Sequence, residues 1–210
     1  MSATIFWDVD TQYDFIHPDG KLYVPGAETI VPILGALTDY AHGRGIRIIA
    51  SADDHVPGHR ELSATPDWRT TFPEHCMRDT PGQVKISETT LRDQLIIQPE
   101  LDLGVPDRVR GHDGDILFLK HWFDVFTNAN VPAVLDLLRP TRIVLYGVAT
   151  DVCDKYAIEG LLDRAPQAEV SFVVDAARAI HAEEVDALLE AWRRRGVRMV
   201  TAAEILAGGA

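Results

Sequence analysis

Val144-Leu145-Tyr146-Gly147-Val148-Ala149-Thr150-Asp151-Val152-Cys153 is the stretch on which the fold turns. Ile143 to Tyr146 is short, rich in β-branched and large apolar residues and bounded by turn signals, which predicts a buried strand. From Cys153 onward the pattern is helical: Cys153, Tyr156, Ala157, Gly160 and Leu161 share one side, with Asp154, Lys155 and Glu159 elsewhere. Thr150 or Asp151 can cap this helix, and Gly147 lets the intervening turn adopt an unusual backbone. A cysteine in the first helical turn sees the positive end of the dipole, which favours the thiolate. A small buried core residue fits the same position. The stretch alone leaves both readings of Cys153 open.

Outward from this unit, strands and helices alternate. Strands are expected at Thr4 to Val9, Arg47 to Ser51, Asp115 to Lys120, Val170 to Val174 and Arg198 to Val200. Helices are expected from about Thr29 to Ala41, stopped by Gly43-Arg44-Gly45, and at Val131 to Leu138, ended by Arg139-Pro140. Others follow from about Ala182 to Arg195 and from Ala202 to Leu206. Asp53 to about Pro81 is rich in Pro, His, Asp and Thr and lacks a sustained period, the mark of a functional or disordered insertion. Alternation of this kind predicts an α/β three-layer sandwich, a mostly parallel sheet flanked by helices with right-handed crossovers. No internal repeat or low-complexity linker divides the chain, so residues 1–210 are expected to form one domain.

Composition narrows the function classes. A formal net charge of -12 argues against nucleic acid or an anionic membrane surface as a partner. Only two cysteines occur, Cys76 and Cys153, so a disulfide framework is not expected and a reducing compartment fits better. No apolar run reaches membrane-spanning length, and Met1-Ser2-Ala3-Thr4 lacks the charged start of a signal peptide. A cytoplasmic protein is the expectation.

In open parallel sheets ligands bind outside the carboxyl ends of the strands. Reactive side chains collect there: Asp10 after the first strand, Asp53, Asp54 and His55 after the second, Lys120 after the Ile116-Leu117-Phe118-Leu119 strand, and Cys153 after the organising strand. Taken singly, Asp10 reads as a turn cap and Lys120 as a solvated strand end; their convergence on one edge is the signal. The chemistry suits acyl transfer. A thiolate attacks a carbonyl, a carboxylate takes the thiol proton and returns it to the leaving amine, and an ammonium balances the charges. Backbone N–H groups at the turn before the helix stabilise an oxyanion.

These residues resemble the isochorismatase-like cysteine hydrolases, which include the nicotinamidases. Val9-Asp10-Thr11-Gln12-Tyr13-Asp14-Phe15 is similar to the family's V-D-x-Q-x-D-F, Lys120 stands at a strand end, and Gly147-Val148-Ala149-Thr150-Asp151-Val152-Cys153 is similar to G-x-x-T-D-x-C. The resemblance implies an isochorismatase-like, Rossmann-like fold and a triad of Asp10, Lys120 and Cys153. It also implies a cis peptide between Val148 and Ala149 and an oxyanion hole formed by the N–H groups of Ala149 and Cys153.

Asp53, His55, His59 and His75 form a second cluster. An Asp-x-His pair in extended backbone puts both side chains on one side, and a later histidine can close a facial set; solvated loop histidines are the plain alternative. The resemblance to the nicotinamidase branch implies metal ligands at Asp53, His55 and His75; His59, the weakest member of the cluster, either touches the metal, stands behind a ligand or faces solvent. The same resemblance implies a divalent metal, zinc foremost, that orients a substrate ring nitrogen or a water, and no organic cofactor. Asp54 and Val56 depart from the aromatic and the proline usual at those positions, which bears on the substrate.

Phe15, Trp68 and Phe123 lie near these motifs and are candidates to stack on a planar ring, although core packing suits any one of them. Phe126 and Cys76 read as structural, and Asp175 as a cap. The expected function is a cysteine-dependent amidohydrolase that releases ammonia from a small amide, nicotinamide foremost, in a homo-oligomer. Rivals are vinyl ether hydrolysis of the isochorismate type, hydrolysis of a carbamoyl, maleamate or ureido amide, and a non-catalytic binding protein of the same fold. Vinyl ether hydrolysis proceeds by protonation and needs no thiol, so Cys153 counts against it.

Overall fold

A computed structural model describes residues 4–209. Residues 1–3 and 210, and with them most of the segment weighed as a leader, lie outside that range. Seven strands form one sheet: β1 (Thr4–Val9), β2 (Arg47–Asp53), β3 (Leu95–Ile97), β4 (Ile116–Lys120), β5 (Arg142–Val148), β6 (Glu169–Arg178) and β7 (Arg198–Val200). Their order is β3-β4-β2-β1-β5-β6-β7, and every pairing is parallel. The helices are α1 (Tyr13–Ile16), α2 (Val31–Gly43), α3 (Val105–Arg110), α4 (Val131–Leu138), α5 (Cys153–Arg164), α6 (Val185–Arg194) and α7 (Ala202–Glu204).

The strands are apolar on both sides because both faces are covered. Trp7, Leu145 and Phe172 are register partners and share one face, where Phe172 meets Trp192 of α6. Phe6 alternates to the other face and stacks on Tyr40 of α2. Helices on opposite faces of one sheet make three layers. The chain runs from β1 outward through β2 and later returns to β5 on its other side. This reversal creates the crevice in which doubly wound sheets bind ligands.

Several elements depart from expectation. The strand Leu95–Ile97 and the helix Val105–Arg110 carry too few residues for a period to emerge. A 3-10 turn, Ala27–Ile30, leads into α2, and another, Ala182–Glu184, leads into α6. The strand β6 continues past Val174 to Arg178 through a register shift opposite Leu145 and Gly147. Neither Thr150 nor Asp151 caps α5, whose N-cap is Val152 with no side-chain bond. Asp151 instead accepts from the backbone N–H groups of Ile180 and His181, at 2.9 and 2.8 Å, and Thr150 Oγ1 donates to the Arg178 carbonyl. Both side chains pin the segment after β6 to the turn before α5. Asp175 lies inside β6 and does not cap the segment that follows; it accepts from Ala202 N at the start of α7, whose N-cap is Thr201.

Gly147 has φ of +134°, and the Val148–Ala149 peptide is cis. A Cβ on Gly147 would lie 2.1 Å from the Val9 carbonyl oxygen, beside Asp10. Gly147→Ala is therefore expected to cost more than about 1 kcal/mol, read as a lower urea midpoint, from strain and clash together.

No helix among the described residues is long and apolar enough to cross a membrane.

Candidate active site

Four strand ends deliver the site. Asp10 follows β1 in a left-handed backbone conformation, φ +49°, and its Oδ1 accepts from Ser51 Oγ at 2.6 Å. Lys120 ends β4 in register with Asp53 at the end of β2. Its Nζ stands 2.8 Å from Asp10 Oδ2 and 3.7 Å from Cys153 Sγ, and it also donates to Asp53 Oδ1. Asp10, Asp53 and Lys120 are all 0 % exposed, so the ammonium is shared between two carboxylates in a water-poor setting.

This sharing drives the two carboxyls apart. Burial pushes both up, but Lys120 together with His55 and His75 holds Asp53 well below the usual carboxylate range. For Asp10 burial prevails over Lys120, and the neighbouring Asp53 adds to it, so its carboxyl is raised. Paired carboxyls with diverging proton affinities separate into a permanent anion and an acid–base group. Burial opposes the charge on Lys120, yet Asp10 and Asp53 hold its ammonium well above the usual range.

Cys153 opens α5, and its Sγ lies within 4.8 Å of a carboxylate oxygen of Asp10. Burial pushes its thiol up despite Lys120, so the helix terminus alone does not yield a resting thiolate. A thiol so placed needs a base, and the Asp10 carboxyl, whose Oδ2 accepts no hydrogen bond, lies within that distance.

A second cluster adjoins the first through Asp53. Donor atoms of Asp53, His55, Glu61 and His75 lie within 4.8 Å of one another, and all four residues are buried. His75 Nε2 is 3.5 Å from Asp53 Oδ2 and 3.6 Å from Glu61 Oε1, while His55 Nε2 is 3.8 and 3.9 Å from Asp53 Oδ2 and Glu61 Oε2. Asp53 Oδ2, His55 Nε2, Glu61 Oε2 and His75 Nε2 have no hydrogen-bond partner. Four orphaned buried atoms converging on one point fit a divalent cation, and the mixed oxygen and imidazole set suits zinc. The outer contacts agree. His75 Nδ1 donates to the Pro73 carbonyl at 2.7 Å, and His55 Nδ1 is 3.2 Å from His59 Nδ1, which leaves both Nε2 atoms facing inward. Burial opposes protonation of His75, yet Asp53 and Glu61 push it up to about 9, so the cluster favours positive charge.

His59 thus stands behind His55 rather than in the cluster, and Glu61, which no sequence pattern singles out, takes the fourth place. Two isolated bridges in the long 53–81 segment decide this. Leu62 pairs with Phe72 and turns Glu61 inward, and His55 pairs with Met77 and brings His75 alongside. Of the three aromatic candidates, only Phe15 reaches the site, 5.3 Å from the His75 ring. Trp68 is 45 % exposed, and Phe123 packs between Trp122 and Tyr156. A narrow apolar cleft lies over Cys153, walled by Phe15, Leu22, Phe72, Val152 and Ile180. Cys76 is fully buried, with its thiol pushed up by burial, and serves packing.

A doubly wound α/β sheet that gathers a thiol, a carboxylate and an ammonium at one edge defines an α/β protein equipped for nucleophilic chemistry. Residues 3–204 match the family model for the Isochorismatase domain, and the chain belongs to the isochorismatase family. It is 27% identical over 199 residues to the nicotinamidase/pyrazinamidase of Mycobacterium tuberculosis, an alignment covering 91% of this chain and 95% of that protein. Among solved structures, the pyrazinamidase of Pyrococcus horikoshii in complex with zinc superposes with a TM-score of 0.73 at 23% identity, covering 95% of this chain and 99% of that one. N-carbamoylsarcosine amidase from Thermoplasma acidophilum gives 0.73 at 21% identity, covering 96% and 97%. At these identities the superpositions speak for the fold.

Proposed function

We propose that this protein is a cysteine-dependent amidohydrolase that releases ammonia from a small, neutral, planar amide, with nicotinamide foremost. The observation that carries it is the single buried ammonium of Lys120, 2.8 Å from Asp10 and 3.7 Å from Cys153. Asp10 takes the thiol proton as Cys153 Sγ attacks the amide carbon, and the N–H groups of Ala149 and Cys153 hold the oxyanion. Asp10 then returns the proton to the departing nitrogen, and ammonia leaves a thioester. Water attacks the thioester, Asp10 accepts its proton, and the acid departs as the thiol re-forms. Lys120 stays charged throughout and offsets the charge on Asp10.

Asp53, His55, Glu61 and His75 would hold a divalent cation, zinc foremost, which would supply a Lewis-acid handle for a ring nitrogen or a water. The cavity wall supports a neutral substrate. Its residues include no arginine, lysine or histidine that could pair a substrate carboxylate, so a ureido or maleamate substrate would bury its charge there without a partner. A cytoplasmic homo-oligomer remains part of the proposal.

An ammonia-release screen over nicotinamide, a carbamoyl amide, maleamate and a ureido acid, with and without chelator, tests it. Nicotinamide is expected to be turned over best, to lose activity with chelator and to regain it with added zinc. No ammonia from any amide overturns the proposal.

A further inference from the structure

We infer that Gln12 and Asp14 are positioning residues that set the geometry of the cation cluster, each by clamping the backbone of one ligand-bearing arm; this rests on the reading that the cluster holds a divalent cation. Gln12 is 0 % exposed, and its side-chain amide closes on the Asp53 peptide from both sides. Its Nε2 donates to the Asp53 carbonyl at 2.8 Å and its Oε1 accepts from Asp53 N at 2.7 Å. The second Nε2 hydrogen goes to the Gln83 carbonyl at 2.6 Å. Asp53 ends β2 still in register with Lys120 of β4, but β1 has its last partner at Ser51, so the ladder no longer restrains Asp53 on the β1 side. The Gln12 amide replaces that restraint and fixes how one carboxylate is divided between Lys120 on Oδ1 and the cluster on Oδ2.

Asp14 does the corresponding work on the other arm. Its Oδ2 accepts from Cys76 N at 2.7 Å, immediately after His75, and its Oδ1 accepts from Lys21 N at 3.1 Å. The Cys76 carbonyl in turn accepts from His55 N at 3.1 Å, so the residue held by Asp14 ties both histidine arms together. Cys76 itself is held at φ +44°, a left-handed conformation that a non-glycine residue keeps only under outside restraint. Gly82 packs against the same carboxylate so closely that a Cβ there would fall 2.2 Å from Asp14 Oδ2. Asp53 and Glu61 bring two carboxylates within 4.8 Å of each other, a spacing set by the backbone that carries them. Gln12 and Asp14 hold it from the segment that also carries Asp10.

The two clamps differ in reach. Gln12 acts on a residue shared with Lys120, so its loss disturbs both the cluster and the triad. Asp14 acts on the histidine arms and on the Lys21 backbone, and bonds no member of the triad. The experiment is zinc affinity, measured on purified protein by competition with a chromophoric chelator, together with thermal midpoints. Gln12→Glu keeps one acceptor and loses both donors, and Asp14→Asn keeps the volume and loses the charge. Each is expected to weaken zinc binding about tenfold or more, in the range typical of outer partners of metal ligands. At saturating zinc, Asp14→Asn should retain most of kcat while Gln12→Glu does not. Asn130→Leu is the control: it strips buried bonds to the Gln98 and Glu100 carbonyls, away from the cluster, and should lower the thermal midpoint with zinc affinity unchanged. Wild-type zinc affinity in folded Gln12→Glu and Asp14→Asn, or an equal loss in Asn130→Leu, overturns the inference. A wild-type protein that binds no zinc, or that binds it as well after His75→Ala, overturns the cation reading instead.

Discussion

Cys153→Ala is expected to lower ammonia release from nicotinamide by about 10⁴-fold or more, the scale seen when a covalent nucleophile is removed. Without Sγ there is no thioester, and what remains is water attack in a cavity that admits little water. The fold should survive, because the change removes one atom from a residue at the mouth of α5 and leaves the Asp10–Lys120–Asp53 charges in balance. Nicotinamide should still bind, since the apolar walls Phe15, Phe72 and Ile180 are untouched. The measurement is steady-state ammonia release beside a circular-dichroism melt. An unchanged rate in a folded variant would sink the assignment of Cys153 as nucleophile.

Lys120→Met should have the largest effect on stability, alongside near-complete loss of activity. Methionine matches the stem but supplies no charge, and it leaves Asp10 and Asp53 facing each other with no counter-ion on that side. Breaking a buried ion pair from one partner costs about 3–5 kcal/mol. The sign of its pH dependence follows from the carboxyls. In the wild type Asp53 is held well below its usual range, so its contribution is present above the unfolded carboxylate range and lost as pH falls through the folded value. In the variant burial and mutual repulsion raise both folded carboxyls above their unfolded values. Their stability is then greatest in acid and declines as pH rises through the raised values. Urea midpoints from pH 4 to pH 8 check this: the gap between wild type and variant should widen with pH. A gap that narrows with pH, or is absent, would show that Lys120 does not neutralise this pair.

The two readings of Cys153 illustrate what separates local from tertiary information. Its place in the first helical turn was legible, because the switch from a β-branched run to helical spacing lies within ten residues. Its proton affinity was not. Burial outweighs the helix terminus and Lys120 together, and burial depends on which segments close over the turn. Asp151 shows the same division. Its position suits a helix cap, yet its carboxylate binds the N–H groups of Ile180 and His181, some thirty residues away in sequence.

The strand-end chemistry was readable because a parallel sheet forces it. Apolar runs mark the strands, alternation makes them parallel, and parallel strands place their carboxyl ends on one edge, so Asp10, Asp53, Lys120 and Cys153 share that edge, and the order β4-β2-β1-β5 makes them neighbours. The cation cluster was readable only where it sits on a strand end, at Asp53 and His55. His59 and Glu61 lie two residues apart in a loop without period, and nothing local says which one faces inward. The Leu62–Phe72 bridge decides for Glu61, and His59 is left behind His55. Trp68 and Phe123 failed as wall residues for the same reason, while Phe72 and Ile180 took that place.

The sequence by itself therefore determined the α/β layering, the sheet edge that carries the chemistry and the residues on it that a strand or a helix start presents. Only the tertiary structure decided the fourth donor, the cavity wall, the division of one ammonium between two carboxylates and the clamps on Asp53 and Cys76. The physical reason is range. Periodicity encodes which face of an element is buried, whereas loop conformation and proton affinity depend on contacts between segments that periodicity does not register.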